Sequence, residues 1–201
     1  SLSNPFQLGQ NDDVRIGASI GISMFPQHGE NVEILLDRAD TALYRAKDQG
    51  RGCFAFFSES MTLATRERIM LEVRLQKAVR QKELRVYYQP QVDIATGRII
   101  GAEALVRWQD PIEGLIPPSR FIPIAEETNL IVEIGELVLR ETCAQGRQWL
   151  YMGLPPLTLA VNVSPQQFRR SDIATLVAGV LAETGFPAGQ LELEITESGL
   201  M

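Results

Sequence analysis

One histidine and two cysteines are all that 201 residues offer in nitrogen and sulfur ligands. That scarcity excludes zinc-finger and thiolate-cluster chemistry, which needs closely spaced Cys and His side chains. Cys53 and Cys143 lie far apart, and two unpaired core thiols in a reducing cytosol are expected. His28 falls in the turn-like "FPQHGEN" and reads as a solvated loop residue rather than a ligand. No apolar run approaches the ~18 residues of a membrane span. The opening "SLSNPFQLGQNDD" lacks the charged-then-apolar pattern of a secretory signal. Positive charge is also short: Lys+Arg 19 against Asp+Glu 25 gives a formal charge of -6. Such a balance argues against DNA or RNA as a partner. It does not exclude a nucleotide, because one arginine and one metal ion can receive a phosphate locally. What remains, 45% hydrophobic and 22% charged with both signs interspersed, is the composition of a soluble globular protein. The length allows one large domain or two small ones.

Along the chain, "VRIGASIGISM" (14–24) reads as a strand ended by Phe25-Pro26 and a glycine-containing turn. In "ENVEILLDRADTALYRAKDQG", Val32, Leu35, Leu36, Ala39, Leu43 and Ala46 hold the helical period, and Gly50 is a natural stop. "CFAFF" is a further short strand. A strand, a helix and a strand bury little area, and a domain of ~60 residues is marginal. The segment has the look of the end of something larger. From about Ser58 to Glu83 a charged helical stretch carries one apolar stripe of Leu71, Leu75, Ala78 and Val79. No heptad is sustained, so a connecting helix that docks on the following domain is expected rather than a free coiled coil. From Leu84 the pattern becomes strand, turn, strand: "LRVYYQPQVDI", "ATG", "RIIGAEALVRW". A proline-rich loop, a helical region from Phe121 to Trp149, and the strand "LTLAVNVS" follow. A helix with Ser171 as N-cap then presents Ile173, Leu176, Val177, Val180 and Leu181 on one face, before the strand "LELEITES". Strands alternating with helices predict parallel βαβ units and a helix-covered sheet.

Strand periodicity then singles out polar residues. Gly101, Glu103, Leu105 and Arg107 share one face, against Ala102, Ala104, Val106 and Trp108 on the other. In the next strand Leu159, Val161 and Val163 oppose Ala160, Asn162 and Ser164; in the last, Leu191, Leu193 and Ile195 oppose Glu192, Glu194 and Thr196. Each strand has an apolar face for helices and an oxygen-bearing side chain near its C-terminal end: Glu103, Asn162 and Glu194. Barrels and open α/β sheets assemble their sites at that end. A carboxylate on an inner sheet face needs positive compensation. Arg107 lies on the same face as Glu103 but ~13 Å along the strand, too far for direct contact. A divalent cation is the better counter-charge, and two carboxylates with an amide oxygen suit Mg2+ or Mn2+ more than zinc. A lone strand glutamate is ordinarily solvated or paired at an edge. Pattern alone leaves that reading open beside the metal site.

Four ordered motifs, "YYQPQVDIATGRIIGAEALVRW", "IPPSRFIPIAEETNLI", "VNVSPQQF" and "LELEITES", resemble the first half of an EAL domain. That family comprises bacterial phosphodiesterases that open cyclic di-GMP to a linear dinucleotide. Upstream, "ASIGISMFPQHGENVEILLDRADTALYRAKDQGRG" resembles the C-terminal part of a GGDEF, or diguanylate cyclase, domain. The resemblance implies an α/β fold: a partial, modified TIM (β/α)8 barrel preceded by the end of an α+β domain. The expected division is 1–57 GGDEF-like, 58–83 connecting helix and 84–201 EAL-like. It further implies Glu103, Asn162 and Glu194 as metal ligands, Glu103 being the catalytic residue of the motif. Arg107 would hold a phosphate of cyclic di-GMP, Leu105 and Gln89 would line its cleft, and Glu197 would brace the loop after its strand. Mg2+ or Mn2+ is the implied cofactor.

The family's later aspartates and lysine belong to strands after "LELEITES", so this stretch alone is expected to be inactive while its parent hydrolyses cyclic di-GMP. The GGDEF signature itself is not in the sequence, and Asp40, Tyr44 and Lys47 read as a solvated helix face. The alternatives are a cyclic di-GMP receptor or scaffold without turnover, and a parent with cyclase activity. A cytoplasmic location is expected, with any membrane anchor of the parent upstream. The resemblance leaves a homodimer open without requiring one.

Overall fold

The computed structural model describes residues 16–195 together with the backbone of residues 6–7 and 13–14. Two units divide the chain, Ser1–Met70 and Leu71–Met201.

In the first unit β1 (Phe6–Gln7) pairs antiparallel with β2 (Asp13–Val14). β3 (Ile20–Ile22) pairs in parallel with β4 (Phe54–Phe56), and α1 (Val32–Asp48) makes the crossover. The helix starts where Asn31 accepts a hydrogen bond from the Ile34 N–H at 2.9 Å. Glu33 in its first turn and Arg45 and Lys47 in its last complement the helix dipole. Gly21 is what lets α1 lie on β3: a Cβ there would stand 2.0 Å from the Ala39 carbonyl oxygen. The expected strand 14–24 is regular only at 13–14 and 20–22, because a strand extends as far as its ladder does and β4 has three residues. His28 is a correction. It is buried rather than solvated; its Nδ1 accepts from the Met24 N–H at 3.0 Å, and its ring meets Phe57 edge-on at 5.4 Å. The turn folds the imidazole inward because a neighbouring backbone donor satisfies its ring nitrogen.

α2 (Glu59–Gln81) crosses the division between the units. Its Leu71, Leu75 and Ala78 are buried in the core of the second unit, with Val79 packed against it. The stripe read from the sequence is thus the docking face. The sheet of this unit runs β5 (Leu84–Val92), β6 (Ile99–Asp110), β8 (Thr158–Val163), β9 (Leu191–Ile195), with β7 (Gly114–Ile116) also paired to β6. β5 and β6 form an antiparallel hairpin, and β6–β8 and β8–β9 are parallel. α3 (Pro118–Glu127) and α4 (Leu130–Tyr151) connect β6 to β8; α5 (Pro165–Arg170) and α6 (Ile173–Thr184) connect β8 to β9. This repeating strand–helix layout is the α/β partial barrel that was expected. The core includes Trp108, Phe121, Ile134, Leu159, Val161 and Val180, all nearly inaccessible. Cys143 is buried and unpaired, and burial pushes its thiol up to about 11.

Several boundaries differ from expectation. β7 lies in what reads as a proline-rich loop. Asp110 Oδ1 accepts from the Ile112 and Glu113 N–H groups at 2.7 and 2.8 Å, which closes a turn into it. The helical region expected over 121–149 starts at Pro118 and breaks at Asn129, which adopts φ 67°. Asparagine tolerates that left-handed conformation better than most residues. Ser171 is not the N-cap of α6. Asp172 caps it by accepting from the Thr175 N–H at 3.1 Å, while the Ser171 hydroxyl donates to the Gln167 carbonyl at 2.7 Å and closes α5.

Candidate functional site

Three adjacent parallel strands carry the site. On β6, Ala102, Ala104 and Trp108 are buried in the core, which turns Glu103, Leu105 and Arg107 to the other face. On β8, Leu159 and Val161 fill the core and Asn162 faces away; on β9, Leu191 and Leu193 pack inward and Glu194 is on the opposite side. Glu103 is in register with Ala160, and Asn162 with Glu194. Neighbouring strands stand ~4.8 Å apart, so the three polar side chains converge.

The contacts agree. Asn162 Nδ2 donates to Glu103 Oε1 at 2.7 Å. With its amine on Glu103, the Asn162 amide has its carbonyl oxygen left as an acceptor. Burial first, and then the charges of Glu103 and Glu192, push the Glu194 carboxyl above the usual carboxylate range. The carboxylates of Glu103 and Glu192 beside that of Glu194 concentrate negative potential on this face of the sheet. A divalent cation relieves that condition. Among the described residues no group of three or more His, Cys, Asp or Glu side chains is placed to hold a metal ion. The set here is two carboxylates and an amide, all hard oxygen donors. It fits a cation such as Mg2+ that keeps water or phosphate oxygens as its remaining ligands.

Beside this cluster a cavity of about 460 Å³ opens, and Leu105, Arg107 and Asn162 are among its lining residues. Arg107 donates from a guanidinium nitrogen to the Val106 carbonyl at 2.9 Å, which leaves most of its five donors for another acceptor. Gln89 is exposed on β5, in register with Glu103, and does not line the cavity. Glu197 lies outside the described residues.

Glu126, Ser164 and Gln167 are among the lining residues that were not singled out from the sequence. Glu126, at the end of α3, has its carboxyl pushed up chiefly by burial, against a hydrogen bond from the Ser164 side chain. Ser164 and Gln167 form a reciprocal cap at the start of α5: the Ser164 N–H donates to Gln167 Oε1 at 2.8 Å, and Ser164 Oγ accepts from the Gln167 N–H at 3.4 Å. The signal was present. "SPQQ" is a Ser-x-x-Gln capping box with proline at the first helical position.

Comparison with known proteins places this geometry. The EAL domain family matches residues 72–201, and the diguanylate cyclase, GGDEF domain, family matches residues 1–53. The bifunctional diguanylate cyclase/cyclic di-GMP phosphodiesterase MucR of Pseudomonas aeruginosa is 42% identical over 200 residues, 100% of this chain and 29% of its own length. The cyclic di-GMP phosphodiesterase PdeR of Escherichia coli is 39% identical over 200 residues, again 100% of this chain and 30% of its own. An uncharacterized signaling protein of Caulobacter vibrioides is 46% identical over 188 residues, 94% of this chain and 23% of its own. The chain therefore spans less than a third of the length of these relatives. Among solved structures, the PaMucR phosphodiesterase in complex with c-di-GMP superposes with a TM-score of 0.63 at 42% identity, covering 66% of this chain and 53% of that one. The EAL enzyme Bd1971, bound to cAMP and cyclic di-GMP, gives 0.63 at 26% identity over 85% of this chain and 45% of that one. With its sheet, its polar cluster and its motifs all in place, the chain belongs to the EAL domain family, preceded by a segment of the GGDEF family.

Proposed function

We propose that the protein carrying this chain is a metal-dependent phosphodiesterase that hydrolyses cyclic di-GMP to the linear dinucleotide pGpG. The observation that supports this most is the grouping of Glu103, Asn162 and Glu194 on adjacent strands, with the Asn162–Glu103 hydrogen bond at 2.7 Å, and a cavity that Asn162 lines together with Arg107. Relatives named as cyclic di-GMP phosphodiesterases support the same reaction class.

Glu103, Asn162 and Glu194 hold Mg2+ or Mn2+ through oxygen. A cation bound there would supply charge stabilisation at a phosphoryl oxygen and a more acidic attacking water. Arg107 receives a phosphate of the diester, where a planar guanidinium binds two oxygens at once. Leu105 supplies an apolar wall for a base, and Gln89 flanks Glu103 from β5.

The full-length protein, assayed with Mg2+ and cyclic di-GMP, is expected to release the linear product. Glu103→Ala should lower the rate on the order of 10³-fold, since a metal's charge stabilisation is worth several kcal/mol. Equal rates in the two proteins remove the assignment of Glu103. Binding of cyclic di-GMP by the wild type with no linear product assigns it a receptor role instead.

A further inference from the structure

The end of β8 is held by more polar contacts than a strand end requires. Asn162 is followed two residues later by Ser164, which is buried, as is Gln167. Ser164 uses its backbone N–H on the Gln167 side chain and its hydroxyl oxygen on the Gln167 N–H, and its side chain faces the Glu126 carboxyl across the same cavity. The far end of Gln167 lies against α4 at Gly135, where a Cβ would stand 1.7 Å from Gln167 Nε2. A glycine in a helix interior costs about 1 kcal/mol against alanine. Here it opens the space that the Gln167 amide occupies. Three elements, α3, α4 and α5, thus meet at the residue pair that terminates β8. A capping box alone accounts for the helix start. It does not account for a half-buried carboxylate, Glu126, and a helix glycine converging on the same two side chains.

We infer that Gln167 is a positioning residue for the cation site: through Ser164 it fixes the end of β8, and so the place from which Asn162 presents its carbonyl oxygen beside Glu103. This rests on the metal assignment above. It adds that the site's affinity for its cation depends on a side chain that is not among the ligands. Outer partners of metal ligands typically change affinity 10–100-fold when removed.

The test is Mn2+ binding to the full-length protein, followed by the electron paramagnetic resonance signal of free Mn2+, with cyclic di-GMP binding in EDTA measured in parallel. Gln167 lines the same cavity as Arg107 and Leu105, so Gln167→Ala is expected to weaken Mn2+ binding 10–100-fold and cation-free dinucleotide binding by a clearly smaller factor. Gln167→Glu keeps an oxygen for the Ser164 N–H and should restore Mn2+ binding to within about three-fold of wild type. If Gln167→Ala does not fold, Gln167→Met keeps the volume without either hydrogen-bonding atom, and the same loss is expected of it. Mn2+ affinity within two-fold of wild type in a folded variant overturns the inference and leaves the metal site intact. An equal fall in dinucleotide and Mn2+ binding also overturns it, since Gln167 would then touch ligand directly. Loss of fold in both variants makes Gln167 a structural residue only. No Mn2+ binding by the wild type removes the metal assignment and this inference together.

Discussion

The two units of the chain bury their side chains in opposite styles. Among the described residues, the fully or nearly buried apolar side chains of the first unit are Ala42, Ala46, Ala55 and Phe57, while Ile20, Phe54 and Phe56 remain exposed. The second unit buries Trp108, Phe121, Leu75, Leu84, Ile116 and Ile134 almost completely in one continuous core. Both contain a parallel strand pair with a helical crossover. The first is held by close backbone approach, with Gly21 against α1, and the second by interlocking large side chains. Buried area scales the stabilisation at ~25 cal/mol per Å² of apolar surface, so equal topologies carry unequal stability. The candidate site stands on the well-packed sheet, where β6 and β8 are braced from one face by the core and present Glu103 and Asn162 from the other. Precise placement of polar groups needs that kind of support.

The largest effect expected on this contrast comes from removing the core anchor. Trp108 is 0% exposed and Phe54 62% exposed. Trp108→Ala should cost about 3–5 kcal/mol, whereas Phe54→Ala should stay within about 0.5 kcal/mol in this chain. Urea unfolding of both variants checks the pair. Similar losses would mean that the exposed ring of Phe54 is covered by something and that the contrast between the units is false.

Next is the ion pair beneath β6. Asp110, buried, pairs with Arg74 of α2 at 2.5 Å, and Arg74 also reaches Glu113 at 2.6 Å and lies over the Trp108 ring. Burial pushes the Asp110 carboxyl up, but the Arg74 guanidinium and the backbone N–H groups of Glu113 and Ile112 more than offset it and leave it below the usual range. Asp110→Asn is expected to cost about 1.5–3 kcal/mol at neutral pH, the worth of a hydrogen bond to a charged group. The sign with pH follows from the lowered value. The unfolded chain binds the Asp110 proton first, so the stabilisation is complete above the unfolded pKa of ~3.9. It is lost as pH falls through the lower folded value. The wild type should therefore lose stability faster than Asp110→Asn below pH ~4. Acid titrations followed by circular dichroism check this, and curves of the same course for the two proteins would mean that Asp110 contributes nothing.

The smallest effect sharpens the other side of the comparison. Gly21→Ala forces a Cβ onto the Ala39 carbonyl oxygen and the Leu43 backbone, and overpacking of this kind costs about 1–3 kcal/mol. The loss should be confined to the first unit. Hydrogen exchange should show faster amide exchange in α1 and β3, with β6 and β8 unchanged. A uniform change across both units would mean that they unfold as one.

Much of this was legible in the chain itself. Alternation along "GAEALVRW" and "LAVNV" put Glu103 and Asn162 opposite the core, because a strand's side-chain period is two whatever its neighbours are. The stripe of Leu71, Leu75 and Ala78 likewise named the docking face of α2. His28 misled because a turn composition says nothing about which way one ring points. β7 was hidden because a three-residue strand forms only where Asp110 closes a turn and β6 offers its free edge. Ser171 was credited with a cap that Asp172 makes, one residue later.

By itself the sequence determined which residues face the core, where helices begin to be possible, and that three oxygen-bearing side chains point away from the core, since these are local consequences of periodicity and side-chain chemistry; Glu103 lies in the first half of β6 rather than at its end. Only the tertiary structure decided that those three side chains are neighbours, that Asn162 turns its amine to Glu103, and that Glu126, Gly135 and Gln167 gather behind them. Those relations join residues far apart in the chain, and only the packing of helices onto the sheet brings them within reach.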